Sequence, residues 1–383
     1  MSSSEPEFND AREYSSLEEV MNTLLTAKGK SFRELDQTGR ALTGGNKGSL
    51  GQIIEESVLK YAINSDAAPD IHIGDTSYEL KVTPLKHIKK GKQTSAKERL
   101  VIDIINYLTL ADETDFESSK MWDKAKNIIL VYYYDDRTDK KKELRIDCKV
   151  LASYLMKYEA DDLATIKNDW HVIRDKVASG HADSLSESDT NYLAACTKGA
   201  NSKQLREAPA PAGANTATIF AKQRAFSLKT SYMTAIARKL LNRKSETVRL
   251  PIPQEQNLDE YVAAKFIPYT GKSSRDIASE LQVSAAPTAK NYNSSLAFAM
   301  LGASKSSISK IEQFSKANIS QFKSVTIYPD GLPREHMSFK AITDDQWEEW
   351  ANPQTTWEQS FVRDFFETSK FLIKIADTVS IRP

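Results

Sequence analysis

The chain has 383 residues, 27% of them charged and 40% hydrophobic, with 52 basic side chains balanced by 52 acidic ones. That length gives core enough for about two or three domains, and the composition is that of an ordinary soluble globular protein. Three classes are excluded: no apolar run of about 18 residues could cross a membrane, two cysteines (Cys148 and Cys196) build no disulfide framework, and five scattered histidines have no zinc-ligand spacing.

A reducing cytoplasm is the expected compartment. Zero net charge still admits a nucleic-acid partner, because that requires only local positive surface. Lys86, Lys89, Lys90, Lys92, Lys97 and Arg99 form one cluster. Lys222, Arg224 and Lys229 form a second, and Arg238, Lys239, Arg243 and Lys244 a third.

Residues 1–16 are polar and acidic, lack the parts of a signal peptide, and read as a disordered arm. Ser15 to Leu25 reads as a helix with Leu17, Val20, Met21 and Leu24 as its apolar stripe. Gly29 to Leu35 opens a second, short helix. Thr43 to Asn46 is a loop that delivers the chain to the stretch from Lys47 to Lys81.

That stretch reads as a helix followed by a β-hairpin. Leu50, Ile53, Ile54, Val58 and Tyr61 make an amphipathic helical stripe. Lys47, at the helix start, is placed to touch backbone phosphate. Asp70 to Ile73 alternates like a strand, Gly74-Asp75-Thr76 is turn chemistry, and Ser77 to Val82 alternates again. Strand side chains repeat every two residues, so Glu79 and Lys81 share a face. A hairpin closed symmetrically about the turn puts Asp70 opposite Glu79.

Two such carboxylates suit a hard cation such as Mg²⁺, which polarises a phosphoryl oxygen and lowers the pKa of a bound water. A lysine two residues along can orient that water or stabilise developing charge. The preceding helix offers a third carboxylate. Glu55 and Glu56 both flank its apolar stripe, and periodicity does not choose between them. The competing reading is a solvated edge hairpin with an ordinary surface ion pair.

Leu85 to Ala96 reads as a basic connection. Leu100 to Leu110 is apolar enough for a buried strand or strand-turn, and Asn127 to Tyr134 for a central strand. Glu143 to Leu155 reads as a strand running into helix, and Leu163 to Val177 as helix. Leu185 to Ala194 reads as a helix start, with Ser186 and Ser188 as caps. Ala208 to Gly213 has the composition of a linker. Ser231 to Leu241 reads as helix, and residues 249–257 as an interdomain linker.

Lys47 to Glu55 (KGSLGQIIE), Pro69-Asp70 and Tyr78 to Leu85 (YELKVTPL) together resemble the signature of the MutH family. Lys97 to Tyr107, Trp122 to Tyr132, Tyr192 to Asn201 and Lys222 to Lys229 resemble its restriction-type members, so the likeness covers about residues 20–245. It implies an α/β, α+β mixed-sheet fold of the restriction-endonuclease type with a D…(D/E)-x-K site. The implied activity is Mg²⁺-dependent cleavage of double-stranded DNA at GATC, with Mn²⁺ as a substitute metal and 5′-phosphate ends. Asp70 and Glu79 would hold metal, Lys81 would position or activate the water, and Glu55 would support the metal or its water. Lys47 and either Lys124 or Lys126 would neutralise phosphate. Lys198 and Lys229, with Arg224 between Lys222 and Lys229, would contact DNA from a reading lobe of about residues 150–245, and the resemblance places Ala208 to Gly213 inside that lobe as a loop between two of its parts. The chain departs from MutH at Cys196-Thr197 and at Ser227, so base contacts at those positions do not transfer.

The C-terminal part reads as a degenerate second copy. Gly29 to Leu35 recurs from Gly271, Lys47 to Leu50 falls on Asn293 to Leu296, and Glu79-Leu80-Lys81 falls on Gln321-Phe322-Lys323. Glu55 becomes Leu301, and Glu312 stands where Asp70 would be. The expected organisation is an arm (1–16), a catalytic domain (17–248), a linker (249–257) and a non-catalytic copy (258–383) for DNA binding, self-association on DNA or bracing. The alternatives are a nicking repair endonuclease and a non-enzymatic DNA-binding protein. Ser273 to Val283 also resembles the start of a helix-turn-helix.

Overall fold

The computed structural model describes residues 13–39, 48–61, 70–88, 93–137, 144–198, 204–241, 247–253, 256–303, 307–339, 341–357 and 360–377. The chain divides into two compact units. One comprises residues 1–103, 113–158 and 233–243, the other residues 104–112, 159–232 and 244–383.

The first unit opens with α1 (Leu17–Leu25), capped by Ser16, and α2 (Phe32–Leu35), closed by a capping box between Ser31 and Glu34. Tyr14, inside the expected arm, is buried; its hydroxyl donates to Leu59 O at 2.9 Å and its ring stacks on Tyr61. Next comes α3 (Ser49–Gln52), continuous with a π-helical turn over Ile53–Val58. Leu59 N–H bonds to Ile54 O at 2.9 Å, an i→i−5 bond that admits one extra residue. The apolar stripe therefore shifts by one position: Leu59 is fully buried, whereas Val58 and Tyr61 are only partly so.

The sheet of this unit is mixed. β1 (Ile71–Ile73) pairs antiparallel with β2 (Thr76–Ile88), and β3 (Gln93–Ala96) pairs antiparallel with the far end of β2. β2 thus runs on through the expected basic connection. β4 (Leu100–Ile104) leads into α4 (Tyr107–Asp112), so the apolar run from Leu100 is strand and then helix. α5 (Lys120–Ala125) precedes β5 (Ile128–Tyr134), which pairs parallel with β2 on one side and antiparallel with β6 (Val150–Leu155) on the other. All of β5 but its last residue is buried, as a central strand covered on both faces requires. Pro84 lies inside β2. Glu79 N–H points toward β5 and Leu80 N–H away from it. Alternation therefore aims position 84 away from β5, and the missing proline donor costs no bond of that ladder. Leu80, Ile129, Val131 and Tyr133 pack on Ile53, Ile54, Val20, Leu24 and Phe32.

In the second unit α6 (Ala160–Ala178) is followed not by the helix expected near Leu185 but by a 3-10 turn, Glu187–Asp189, capped by Ser186, and then by β7 (Leu193–Thr197). Asp169 of α6 decides this. Its carboxylate accepts the N–H groups of Asn191, Tyr192 and Leu193 at 2.8, 2.6 and 3.0 Å, satisfying three buried donors at the strand entrance. The stretch with linker composition lies within a hairpin of β8 (Leu205–Pro209) and β9 (Thr218–Lys222). Its loop approaches Gly180, at φ +85°, so closely that a Cβ there would fall 2.2 Å from Pro211 N. β10 (Arg224–Leu228) pairs antiparallel with β7 and leads into α7 (Thr230–Leu240).

The segment expected as a linker is fixed in place within this unit. Leu250 is buried and exchanges both backbone bonds with the Gln313 side chain at 3.0 Å, and Arg249 bonds Glu159 and Asp161. Beyond it come α8 (Leu258–Phe266), α9 (Ser274–Glu280), α10 (Tyr292–Met300), α11 (Glu312–Lys316), β11 (Ile319–Ile327), α12 (Asp344–Ala351), α13 (Phe361–Thr368) and β12 (Lys370–Asp377). β11 and β12 pair in parallel. The connection between α9 and α10 is too long for a helix-turn-helix. Glu312 starts a helix and bonds Lys316 at 2.7 Å, so the residue expected at the place of Asp70 is helical and does not precede a hairpin strand.

Candidate active site

The turn at Gly74, with φ +55°, closes the hairpin in the register Ile71↔Tyr78, with Asp70 directly before the first paired residue and Glu79 directly after the last. Asp70 Oδ2 accepts the N–H of Leu80 at 2.8 Å, which ties the carboxylate to β2 beyond the last strand pair. Glu79 is held on its other side by its N–H bond to Asn127 O and by pairing with Ile128 of β5. Lys81 Nζ donates to Glu79 Oε1 at 2.5 Å. Glu79 Oε2 is buried and has no hydrogen-bond partner.

The π-turn separates the two glutamates that periodicity leaves open. Glu56 is buried and accepts from Thr38 Oγ1 at 3.1 Å. Glu55 lies within the field of Asp70, Lys81 and Glu79. Burial and then the charge of Asp70 push its carboxyl up to about 7. Burial also pushes Glu79 above the usual carboxylate range, against the pull of Lys81 and, more weakly, Lys124. The result is a half-buried acidic pocket in which negative charges crowd one another.

These side chains fit a hard divalent cation. A desolvated carboxylate oxygen without a donor, beside two other acidic groups, lacks a positive charge to complete it. Among the described residues no group of three or more acidic, His or Cys side chains is drawn into a ready-made cage. Mg²⁺ needs none, since one or two carboxylates and several waters suffice.

The phosphate-side lysines divide. Lys124, on α5, donates to Asp103 Oδ1 at 3.0 Å and acts on Glu79, whereas Lys126 pairs with Asp123 at the surface. Lys47 lies outside the described residues. Lys198 is exposed at the end of β7. Arg224 and Lys229, expected on the DNA face, are both buried. Arg224 donates to Ala195 O at 2.7 Å and Glu367 Oε1 at 3.1 Å, and Lys229 to Thr190 O at 2.6 Å. Sequence reasoning overlooked Asp103, although it is the one charged residue in the apolar run from Leu100 to Leu110.

Residues 59–169 match the family described as DNA mismatch repair enzyme MutH, a span that holds the hairpin and α5. The type II restriction enzyme Sau3AI of Staphylococcus aureus is 36% identical over 355 residues, which is 91% of this chain and 68% of that protein. The chain belongs to the MutH-like endonuclease family. The DNA mismatch repair protein MutH of Shewanella woodyi is 26% identical over 57% of this chain and 90% of its own length. That of Shewanella sp. strain MR-7 is 26% identical over 51% of the chain and 80% of its own. As a MutH-like member the protein is a site-specific deoxyribonuclease, and the mixed sheet around β2 and β5 is its family fold. Among the described residues no helix is long and apolar enough to cross a membrane.

Proposed function

We propose that this protein is a Mg²⁺-dependent type II restriction endonuclease that cuts double-stranded DNA at GATC and leaves 5′-phosphate ends. The observation that carries the reading is the hairpin site, in which Asp70 accepts the N–H of Leu80 next to Glu79, Lys81 holds one Glu79 oxygen and the other oxygen is buried without a partner. Asp70 and Glu79 would hold the cation, which would supply charge neutralisation at the phosphate and a lowered pKa for a water, so that hydroxide is available near neutral pH. Lys81 orients that water and stabilises charge on the phosphate in the transition state. Glu55 takes part from the helix side, its carboxyl losing its proton as cationic charge enters. Lys124 offers a cation to the phosphate beside the cut, and Lys47 and Lys198 contact the DNA backbone elsewhere.

GATC rests on the likeness to the family. The 36% identity to a type II restriction enzyme over 91% of the chain favours double-strand cleavage over nicking. The C-terminal region reads as a non-catalytic second copy for DNA binding or assembly. Supporting this, helices precede a strand that pairs in parallel with a later strand in both parts, β2 with β5 and β11 with β12, although β3, β4 and α4 intervene only in the first and α11 precedes the strand only in the second. Gln321 takes the place of Glu79, and its strand partner is Phe371 where Glu79 has Ile128.

The test is incubation of unmethylated plasmid with Mg²⁺ and the protein, beside Glu79→Gln, followed by sequencing of the ends. Ends opening before GATC that are absent with Glu79→Gln are the expected result. Binding without cleavage by either protein would overturn the enzyme reading in favour of a DNA-binding role, and nicks alone would favour the repair-type alternative.

A further inference from the structure

Lys124 is an unusually well-fixed cation. Its helix α5 is capped by Ser119, whose Oγ accepts Trp122 N–H at 3.1 Å. Trp122 lies between Phe116 and Tyr158, with ring centroids 4.9 and 5.5 Å away, and Tyr158 donates to Ala125 O at 2.8 Å. Met121 and Ala125 are buried. The helix runs through Lys126 into β5, whose first residue pairs with Glu79. The backbone beneath Lys124 is therefore rigid with respect to the catalytic strand.

A lysine stem is not rigid, and an ammonium near a phosphate site needs something to hold its rotamer. Asp103 does so from β4. Its Oδ1 accepts Lys124 Nζ at 3.0 Å, with the two side chains only 28% and 16% exposed. At that burial the pair is fixed more firmly than a surface ion pair, whose members trade partners with water. The helix that carries Lys124 ends just before Asn127, whose carbonyl accepts Glu79 N–H at 2.9 Å, so the ammonium is carried by the segment that anchors Glu79. Asp103 is also the one charge in its apolar run, a position where a carboxylate is costly unless paired.

We propose that Asp103 is a positioning residue for cleavage, holding the Lys124 ammonium beside the Glu79 carboxylate where the scissile phosphate docks. This rests on the endonuclease site described above. Asp103 touches neither DNA nor metal. It acts through Lys124, sparing that side chain an ordering cost at each turnover.

The experiment compares Asp103→Asn, Asp103→Glu, Lys124→Met and the double variant Asp103→Asn with Lys124→Met, using a GATC duplex. Cleavage by the unaltered protein is the control, and its absence would sink the site reading and this inference with it. Given cleavage, Asp103→Asn should lower kcat by about tenfold with KM within about twofold, as expected when positioning is lost. Asp103→Glu should recover most of that loss, and the double variant should be no slower than Lys124→Met. Two readouts need no metal. Duplex binding in EDTA should be unchanged by Asp103→Asn, and the Lys124 ammonium resonance in ¹⁵N spectra should lose its protection from exchange. Wild-type kcat for Asp103→Asn, multiplicative effects in the double variant, or an unchanged ammonium resonance would each overturn the proposal. A fall in melting temperature shared by Asp103→Asn and Asp103→Glu, with no rescue of kcat, would assign Asp103 to the fold instead.

Discussion

Lys81 Nζ sits 2.5 Å from Glu79 Oε1, and the other oxygen of that carboxylate is buried with nothing to bond. One half of Glu79 is thus satisfied by the protein and the other half left for something positive. Glu79→Gln keeps the shape and removes the charge. We expect it to abolish cleavage, by about a thousandfold or more, while duplex binding persists, because a neutral amide cannot anchor the cation that carries the chemistry. Single-turnover cleavage beside a filter-binding assay reads both. A variant that still cuts at a tenth of the normal rate would remove Glu79 from the centre of the site.

The Glu55 carboxyl, raised to about 7 by burial and by Asp70, holds its proton on the acid side of neutrality in the free protein. A bound cation must displace that proton, so metal binding improves as pH rises through about 7. The Mg²⁺ concentration for half-maximal cleavage should therefore fall across that range and then level off. Glu55→Gln should flatten the dependence. Titrations of Mg²⁺ at several pH values would show this, and an equally steep dependence in Glu55→Gln would contradict it.

Lys198 and Lys229 should behave differently, though both belong to segments expected to face DNA. Lys198 is exposed, so Lys198→Ala should reduce the slope of log affinity against log salt by about one charge and leave the melting temperature alone. Lys229 is buried, bonded to Thr190 O, and its ammonium is pushed down to about 8 by burial against the pull of Asp169. Lys229→Ala should instead destabilise the fold by about 2 kcal/mol. Thermal melts and salt-dependent binding separate the two.

Asp135 supplies an acid-side prediction. Burial works against its ionisation, but bonds from Arg137 and Lys97 outweigh that and depress its pKa from 3.8 to about 2. For a carboxylate with a depressed folded pKa, the unfolded chain takes up the proton first. The stabilisation is therefore complete above about 4 and is lost as pH falls toward about 2. Asp135→Asn should lower stability at neutral pH by about 2 kcal/mol and make it less dependent on pH in that window. Urea melts at pH values across it would show parallel curves if the assignment is wrong.

Much of the catalytic hairpin could be read directly. Alternation at Ser77 to Val82, turn residues at Gly74-Asp75 and an acidic residue before the first strand are local signals, and a two-residue period fixes faces without reference to the rest of the molecule. The same is true of β5, whose run of apolar β-formers has one outcome in a covered sheet, and of α1 with its serine cap. Where local signals were weak, composition misled. The Ala-Pro stretch at 208–213 has the residues of a linker, but the family resemblance makes it a loop of the reading lobe, and it lies in a hairpin packed close to Gly180.

The sequence by itself determined the family and singled out the acidic residues proposed for the site, because the motif residues and their spacing are local. Helical periodicity left Glu55 and Glu56 open and only the resemblance pointed to Glu55; the tertiary structure supplies the physical reason, since the π-turn leaves Glu56 buried on Thr38 and Glu55 in the field of Asp70, Lys81 and Glu79. Tertiary structure alone turned Arg224 and Lys229 inward. Whether a basic side chain meets solvent depends on partners far along the chain: Glu367 lies 143 residues from Arg224, and Thr190 lies 39 from Lys229. No window of sequence contains both members of such a pair, and the cost of burying a charge is met only where the fold brings the second member to the first.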